Sequence, residues 1–86
     1  MTTADIKSIL HHNLNRDYYT KRLRGVSHCS EIIMNEAGKK EKNVENNIIR
    51  NNIEIIILHN LRGDYYCGSI RGDFDDVAER IQTVLK

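Results

Sequence analysis

The sequence predicts a small α+β domain, with a three-stranded antiparallel sheet flanked by N- and C-terminal helices in the order α-β-β-β-α. Three observations carry that reading. Apolar residues recur at helical spacing near both ends of the chain. A β-branched run, Ile53-Glu54-Ile55-Ile56-Ile57-Leu58, stands in the second half. Two Tyr-Tyr segments are each followed by a glycine that closes them, Gly25 and Gly72. At 86 residues, 40% hydrophobic and 29% charged, the chain reads as one domain, 1–86, with one thin core.

At the N-terminus, Ile6, Ile9, Leu10 and Leu14 form one apolar stripe. Thr3 is placed to cap this helix and Asp5 lies in its first turn, where the dipole favours an anion. The helix is expected to stop near Asn13 to Asn15. Residues 17–26 read as the first strand, because Tyr18, Tyr19 and Thr20 favour extended backbone. Tyr19 and Leu23 share one face; Tyr18, Thr20, Arg22 and Arg24 share the other.

Residues 27–50 read as an inserted, partly ordered segment. Within it, residues 31–34 fit a short strand or a helical turn, 37–42 an exposed turn, and Val44, Ile48 and Ile49 a short helix. The run at 53–58 is apolar on both faces and fits a central strand covered on each side. Residues 61–64 then supply a turn, and 65–71 the partner strand of a hairpin. Asp73 caps the closing helix, whose stripe is Phe74, Val77, Ala78, Ile81, Val84 and Leu85. The expected core is Ile9, Leu10, Tyr19, Leu23, Ile55, Ile57, Cys67, Phe74, Val77, Ile81 and Leu85.

An internal echo runs across this layout. At an offset of 47, residues 9–25 match residues 56–72 at nine of seventeen positions, including His12/His59, Asn13/Asn60, Leu14/Leu61, Asp17/Asp64, both tyrosine pairs, Arg24/Arg71 and Gly25/Gly72. A duplication would predict two ββα units, each needing the other to bury its face. The first copy shows a helical stripe where the second reads as a strand, so two similar strands are the preferred account.

Composition excludes several classes. The longest apolar run, 55–58, falls far short of the ~20 residues of a membrane span. No signal-peptide pattern is present, and two cysteines do not make a disulfide framework, so reduced thiols and a cytoplasmic location are expected. His11-His12 and His28-Cys29 are adjacent pairs that cannot easily converge on one ion, and neither C-x-x-C nor H-x-x-x-H occurs. A site assembled from His28, Cys29, His59 and Cys67 is the remaining metal option. No nucleophile stands beside a base and an orienting acid, so no metal, no cofactor and no enzyme activity are expected.

Two surfaces are left as candidate sites. Arg16, Tyr18, Arg22 and Arg24 interleave cations with aromatics, the pattern that neutralises phosphates and stacks on bases. The element order helix, three strands, helix resembles that of double-stranded-RNA-binding domains. Those domains start the last helix with lysines, whereas here the same place reads Asp73-Phe74-Asp75-Asp76. The second surface is acidic: Asp64, Asp73, Asp75, Asp76 and Glu79 would occupy a basic groove on a partner.

Residues 5–10 and 17–25, with the hairpin at 53–71 and the helix at 74–85, resemble in layout the small phage-encoded anti-CRISPR proteins, inhibitors of an RNA-guided nuclease. The resemblance covers about 60 residues and skips 27–50. It implies a non-enzymatic inhibitor of a nucleic-acid-handling host complex, acting on a protein or ribonucleoprotein through the acidic patch. The alternative is a small nucleic-acid-binding module using the basic strand 16–24. A sheet with a free edge also invites self-pairing, so a homodimer is an open option.

Overall fold

Three of the four helices begin where a side chain accepts from the free N–H groups of the first turn. Before α1 (Thr3–Asn13), the Thr2 hydroxyl accepts from Asp5 N at 3.2 Å and the Asp5 carboxylate accepts from Thr2 N at 3.1 Å, a reciprocal capping box. The cap is thus one residue earlier than the sequence suggests. Asn43 caps α3 (Val44–Asn60) through Asn46 N at 2.8 Å. Asp73 caps α4 (Phe74–Leu85) through Asp76 N at 3.1 Å, as expected. α2 (Val26–Glu36) instead starts at Gly25, whose φ of 85° turns the chain into the helix without a side-chain cap. This computed structural model describes every residue except Lys21, Tyr65, Cys67 and Gly68.

Among the described residues the result is an α+β fold of four helices and two short two-stranded antiparallel sheets, β1 (Asn15–Arg16) with β2 (Leu23–Arg24) and β3 (Arg62–Gly63) with β4 (Ile70–Arg71). Among the described residues the expected three-stranded sheet is absent. Residues 53–58 are helical, the second half of α3. Their two apolar faces have separate origins. Ile53 and Ile57, one turn apart, are fully buried, with Ile49 and Ile56 packed beside them, while Ile55 and Leu58 point outward. Burial of one stripe outweighs the modest β preference of isoleucine.

The expected strand at 17–26 is also replaced. The Asp17 carboxylate accepts from Tyr19 N at 2.8 Å and Thr20 N at 3.0 Å, which folds the chain back and pairs Asn15 with Arg24 and Arg16 with Leu23. In the second half, the residues expected as a turn supply β3, and among the described residues of the partner strand expected at 65–71, Ile70–Arg71 form β4. Residues 27–50, expected as a partly ordered insertion, form α2, the loop 37–43 and the start of α3. No described helix is long and apolar enough to cross a membrane.

One core joins all four helices: Ile6, Leu10, Leu14, Cys29, Ile33, Met34, Ile53, Ile57, Leu61, Val77, Ala78 and Ile81. Of the expected core, Leu10, Ile57, Val77 and Ile81 are buried, and Ile9, Leu23, Phe74 and Leu85 pack against them. Tyr19 and Ile55 are exposed, because a turn and an outward helix face replace their strands. Cys67 lies outside the described residues.

The sequence echo is a structural repeat, and its units are helix–hairpin–helix rather than ββα. Asn13 and Asn60 donate their amides to Ile9 O and Ile56 O at 2.9 and 2.7 Å. Leu14 N and Leu61 N close the helix ends on Leu10 O and Ile57 O, both at 3.0 Å. Asp17 N donates to Arg22 O at 2.8 Å and Asp64 N to Ser69 O at 2.9 Å. Arg24 faces Asp17 at 4.0 Å and Arg71 faces Asp64 at 3.5 Å. Past Gly72 one residue, Asp73, is inserted, after which Cys29, Ser30 and Ile33 correspond to Val77, Ala78 and Ile81 in the core. α1 packs on α4 as α3 packs on α2, so the two units meet through reciprocal contacts.

Candidate functional site

The two hairpins lie side by side, joined where the Arg16 guanidinium donates to the Asp64 carbonyl. Between them the repeat creates two equivalent clefts. The first, about 390 Å³, is lined by His11, Leu14, Asn15 and Arg16 of one unit and Ser69, Ile70 and Phe74 of the other. The second, about 430 Å³, is lined by Leu58, Leu61, Arg62 and Gly63 with Arg22 and Leu23. Subtracting 47 from the second set, or adding it where the unit changes, returns residues of the first: 11, 14, 15, 16, 69 and 70.

The clefts have diverged chemically. In the first, His11 stacks on Phe74 with ring centroids 4.0 Å apart and planes 17° from parallel, covering one side. In the second, Leu58 replaces His11 and remains half-exposed. Its floor is Leu23, Leu58 and Leu61, and Arg22 and Arg62 are exposed at its rim.

The turn of the first hairpin carries Tyr18 and Tyr19. Tyr19 is 88% exposed, and its ring meets that of Tyr18 edge-on at 5.2 Å. Tyr66, the repeat partner of Tyr19, is 94% exposed. Hydrogen bonds, an ion pair and backbone geometry account for the repeated Asn, Asp, Arg and Gly. Core packing accounts for Leu14 and Leu61. Tyr19 and Tyr66 stand exposed at equivalent positions of the two units.

The expected basic residues are therefore brought together in part. Arg22, Arg24 and Tyr18 share the exposed face of the first hairpin, whereas Arg16 is half-buried against the second. Lys21 lies outside the described residues. Sequence reasoning missed Arg62, Tyr19 and Tyr66, and the repeat was the signal that could have found them. Residues 14–25 hold four Lys/Arg and one Asp, the densest positive charge of a chain whose net charge is +1.

The acidic residues are dispersed into structural work. Asp73 caps α4. Asp75 pairs with Lys7 of α1 at 2.8 Å, and Asp76 with Arg80 one turn on, also at 2.8 Å. Asp64 holds its own turn through Tyr66 N at 2.8 Å and faces Arg71. Glu79 is exposed. Asp73, Asp75 and Asp76 flank Phe74, so they stand beside the first cleft and not the second.

Among the described residues no three His, Cys, Asp or Glu side chains converge as metal ligands. Burial pushes the Cys29 thiol up to about 11, which leaves it in the unreactive protonated form at neutral pH. The Asp17 carboxyl is held below its ordinary range first by the N–H groups of Thr20 and Tyr19 and to a lesser extent by Arg24.

No protein-family model, curated protein or solved structure matches the chain. Among the described residues the element order is α-β-β-α-α-β-β-α, where α-β-β-β-α was expected.

Proposed function

We propose that the chain is a non-enzymatic nucleic-acid-binding module that takes single-stranded segments on the first hairpin and the second cleft. One observation carries this reading: two exposed arginines, Arg22 and Arg62, line a cleft with Leu23, Leu58 and Leu61, and the hairpin that supplies Arg22 also presents the exposed Tyr18 and Tyr19. Guanidinium groups neutralise phosphates, and the tyrosine faces and apolar floor accept unstacked bases. A duplex keeps its bases stacked and offers such a surface only its phosphates. The acidic start of α4 repels phosphates from the first cleft and so confines the ligand to one side.

The test is fluorescence anisotropy with labelled single-stranded DNA and RNA and with duplexes, at low and physiological salt. Single strands are expected to bind more tightly than duplexes, with an affinity that falls as salt rises. Arg22→Ala and Arg62→Ala should each lower the salt slope by about 0.7, and Tyr19→Ala should cost about 1–3 kcal/mol. Absence of binding at low salt would overturn the reading and return attention to a protein target, the inhibitor function that the acidic residues first suggested.

A further inference from the structure

The loop at 37–43 holds a sequence that its conformation does not use. Five of its seven residues, Ala37, Lys39, Lys40, Glu41 and Lys42, are strong helix formers, and only Gly38 and Asn43 are turn residues. The hydrogen bonds that shape it are local. Gly38 N and Lys39 N donate to Asn35 O and Met34 O at the end of α2, and the Asn46 side-chain amide donates to Glu41 O. Among the described residues no hydrogen bond ties the loop to α1 or α4. Among them, too, none of Glu36, Lys39, Lys40, Glu41, Lys42 and Glu45 enters an ion pair. Continuing α2 through the loop into α3 would bring Glu36 beside Lys39 and Lys40, and Lys42 beside Glu45; the like pairs Lys39–Lys42 and Glu41–Glu45 offset part of that gain.

We infer that this loop is a hinge through which two copies of the chain exchange units. In the exchanged form residues 26–60 run as one helix of about 52 Å, and the unit 3–36 of each copy packs on the unit 44–85 of the other. The interface already inside the molecule selects the occupant. α1 meets α4 and α2 meets α3, and a second copy presents the same side chains to the same faces, so exchange rebuilds the core with contacts of the same kind. What is given up is the turn at Gly38, with its φ of 76°, and the cap of α3, where the Asn43 carboxamide accepts from Asn46 N at 2.8 Å. Closure within one chain prevails in dilute solution, and exchange gains as the chain is concentrated. Both clefts lie between units, so in the exchanged dimer each cleft is assembled from two chains. The inference rests on the repeat and the loop, and not on the nucleic-acid reading.

Refolding from urea without nucleic acid at about 10 µM and about 1 mM chain, followed by size-exclusion chromatography, tests it. A dimer is expected whose share rises with the refolding concentration. Asn43→Ala removes a cap that only the closed form uses and should raise the dimerisation constant ~10-fold or more. Lys40→Gly with Glu41→Gly disfavours the continuous helix and should lower it ~10-fold or more. The Lys7–Asp75 ion pair, 2.8 Å long and partly exposed, joins α1 of one unit to α4 of the other. A carbodiimide condenses such an amine and carboxylate into an amide, itself taking up the water released. In the dimer this link should join two chains, read by mass spectrometry on mixed isotope-labelled and unlabelled chains; in the monomer it should stay within one chain, and Lys7→Gln should abolish it. A monomer at both concentrations would overturn the inference, as would a dimer in which Lys7 and Asp75 are joined within one chain. A dimer indifferent both to Asn43→Ala and to Lys40→Gly with Glu41→Gly would overturn the hinge helix.

Discussion

Gly25 and Gly72 are the positions where the repeat can be tested through stability. Both have left-handed φ, 85° and 139°. At each, an added Cβ would fall within 3.0 Å of the carbonyl oxygen that ends the preceding helix of its unit, Asn13 O or Asn60 O. Gly38 is the internal control: its φ is 76°, but a Cβ there meets nothing within 4 Å. Gly38→Ala therefore carries only the conformational cost of the left-handed region, about 1–2 kcal/mol. Gly25→Ala and Gly72→Ala carry that cost plus a backbone collision, which can be relieved only by pulling hairpin and helix apart, and about 3 kcal/mol or more is expected for each. A domain of this size loses roughly 4–8 °C of Tm per kcal/mol, so Gly38→Ala should shift the melt by about 4–16 °C and the others by about 12–24 °C or more. The assay is thermal and urea unfolding followed by circular dichroism. If Gly25→Ala falls within ~0.5 kcal/mol of Gly38→Ala, the close approach of hairpin to helix is wrong, and with it the equivalence of the two units.

Ile33→Ala and Ile81→Ala remove equivalent buried side chains, so each should cost about 2–5 kcal/mol in urea unfolding, with the two values close to each other. Changing Asp73, Asp75 and Asp76 together to Lys removes the α4 cap and two exposed ion pairs, for a loss of about 1–2 kcal/mol; the same variant should bind single-stranded DNA more tightly, whereas an acidic contact surface requires that it lose its partner. Asp5 and Asp17 have folded pKa values below the ordinary 3.8, so their contribution is complete above that value and is lost as pH falls through the lowered folded values. The melting difference between the native chain and Asp5→Asn should accordingly be present at neutral pH and shrink as pH falls below 3.8.

The two ends of the chain were legible because their signals are local and agree with the core. Asp5 lies in the first turn of α1, Asp73 caps α4, and the stripe from Phe74 to Leu85 faces inward as its spacing suggests. The middle was not, because its decisive terms are tertiary. Ile53-Glu54-Ile55-Ile56-Ile57-Leu58 satisfies a strand template and a helix template at once, and only the partners of Ile53 and Ile57 decide between them. The turn at Asp17 was hidden by the β preference of Tyr18 and Tyr19, which act as exposed turn residues and not as strand residues. Misreading 53–58 then concealed the repeat, since a helix set against a supposed strand argued against duplication. The candidate site suffered the same way: Arg22 and Arg24 were recognisable from charge alone, but Arg62 and Tyr66 acquire meaning only once the second hairpin is matched to the first.

The reciprocal packing of the two units gives the loop at 37–43 a role beyond connection. The arrangement is that of a dimer whose subunits have been fused, and a short tether holds them at an effective concentration in the millimolar range. Association within one chain no longer depends on protein concentration, which relaxes the demand that both halves keep the same contact surface. One copy is then free to acquire a cap residue such as Asp73, an aromatic lid over its cleft and an acidic helix start, while the other keeps its cleft open and basic. Fusion in this sense turns a symmetric scaffold into one with a front and a back.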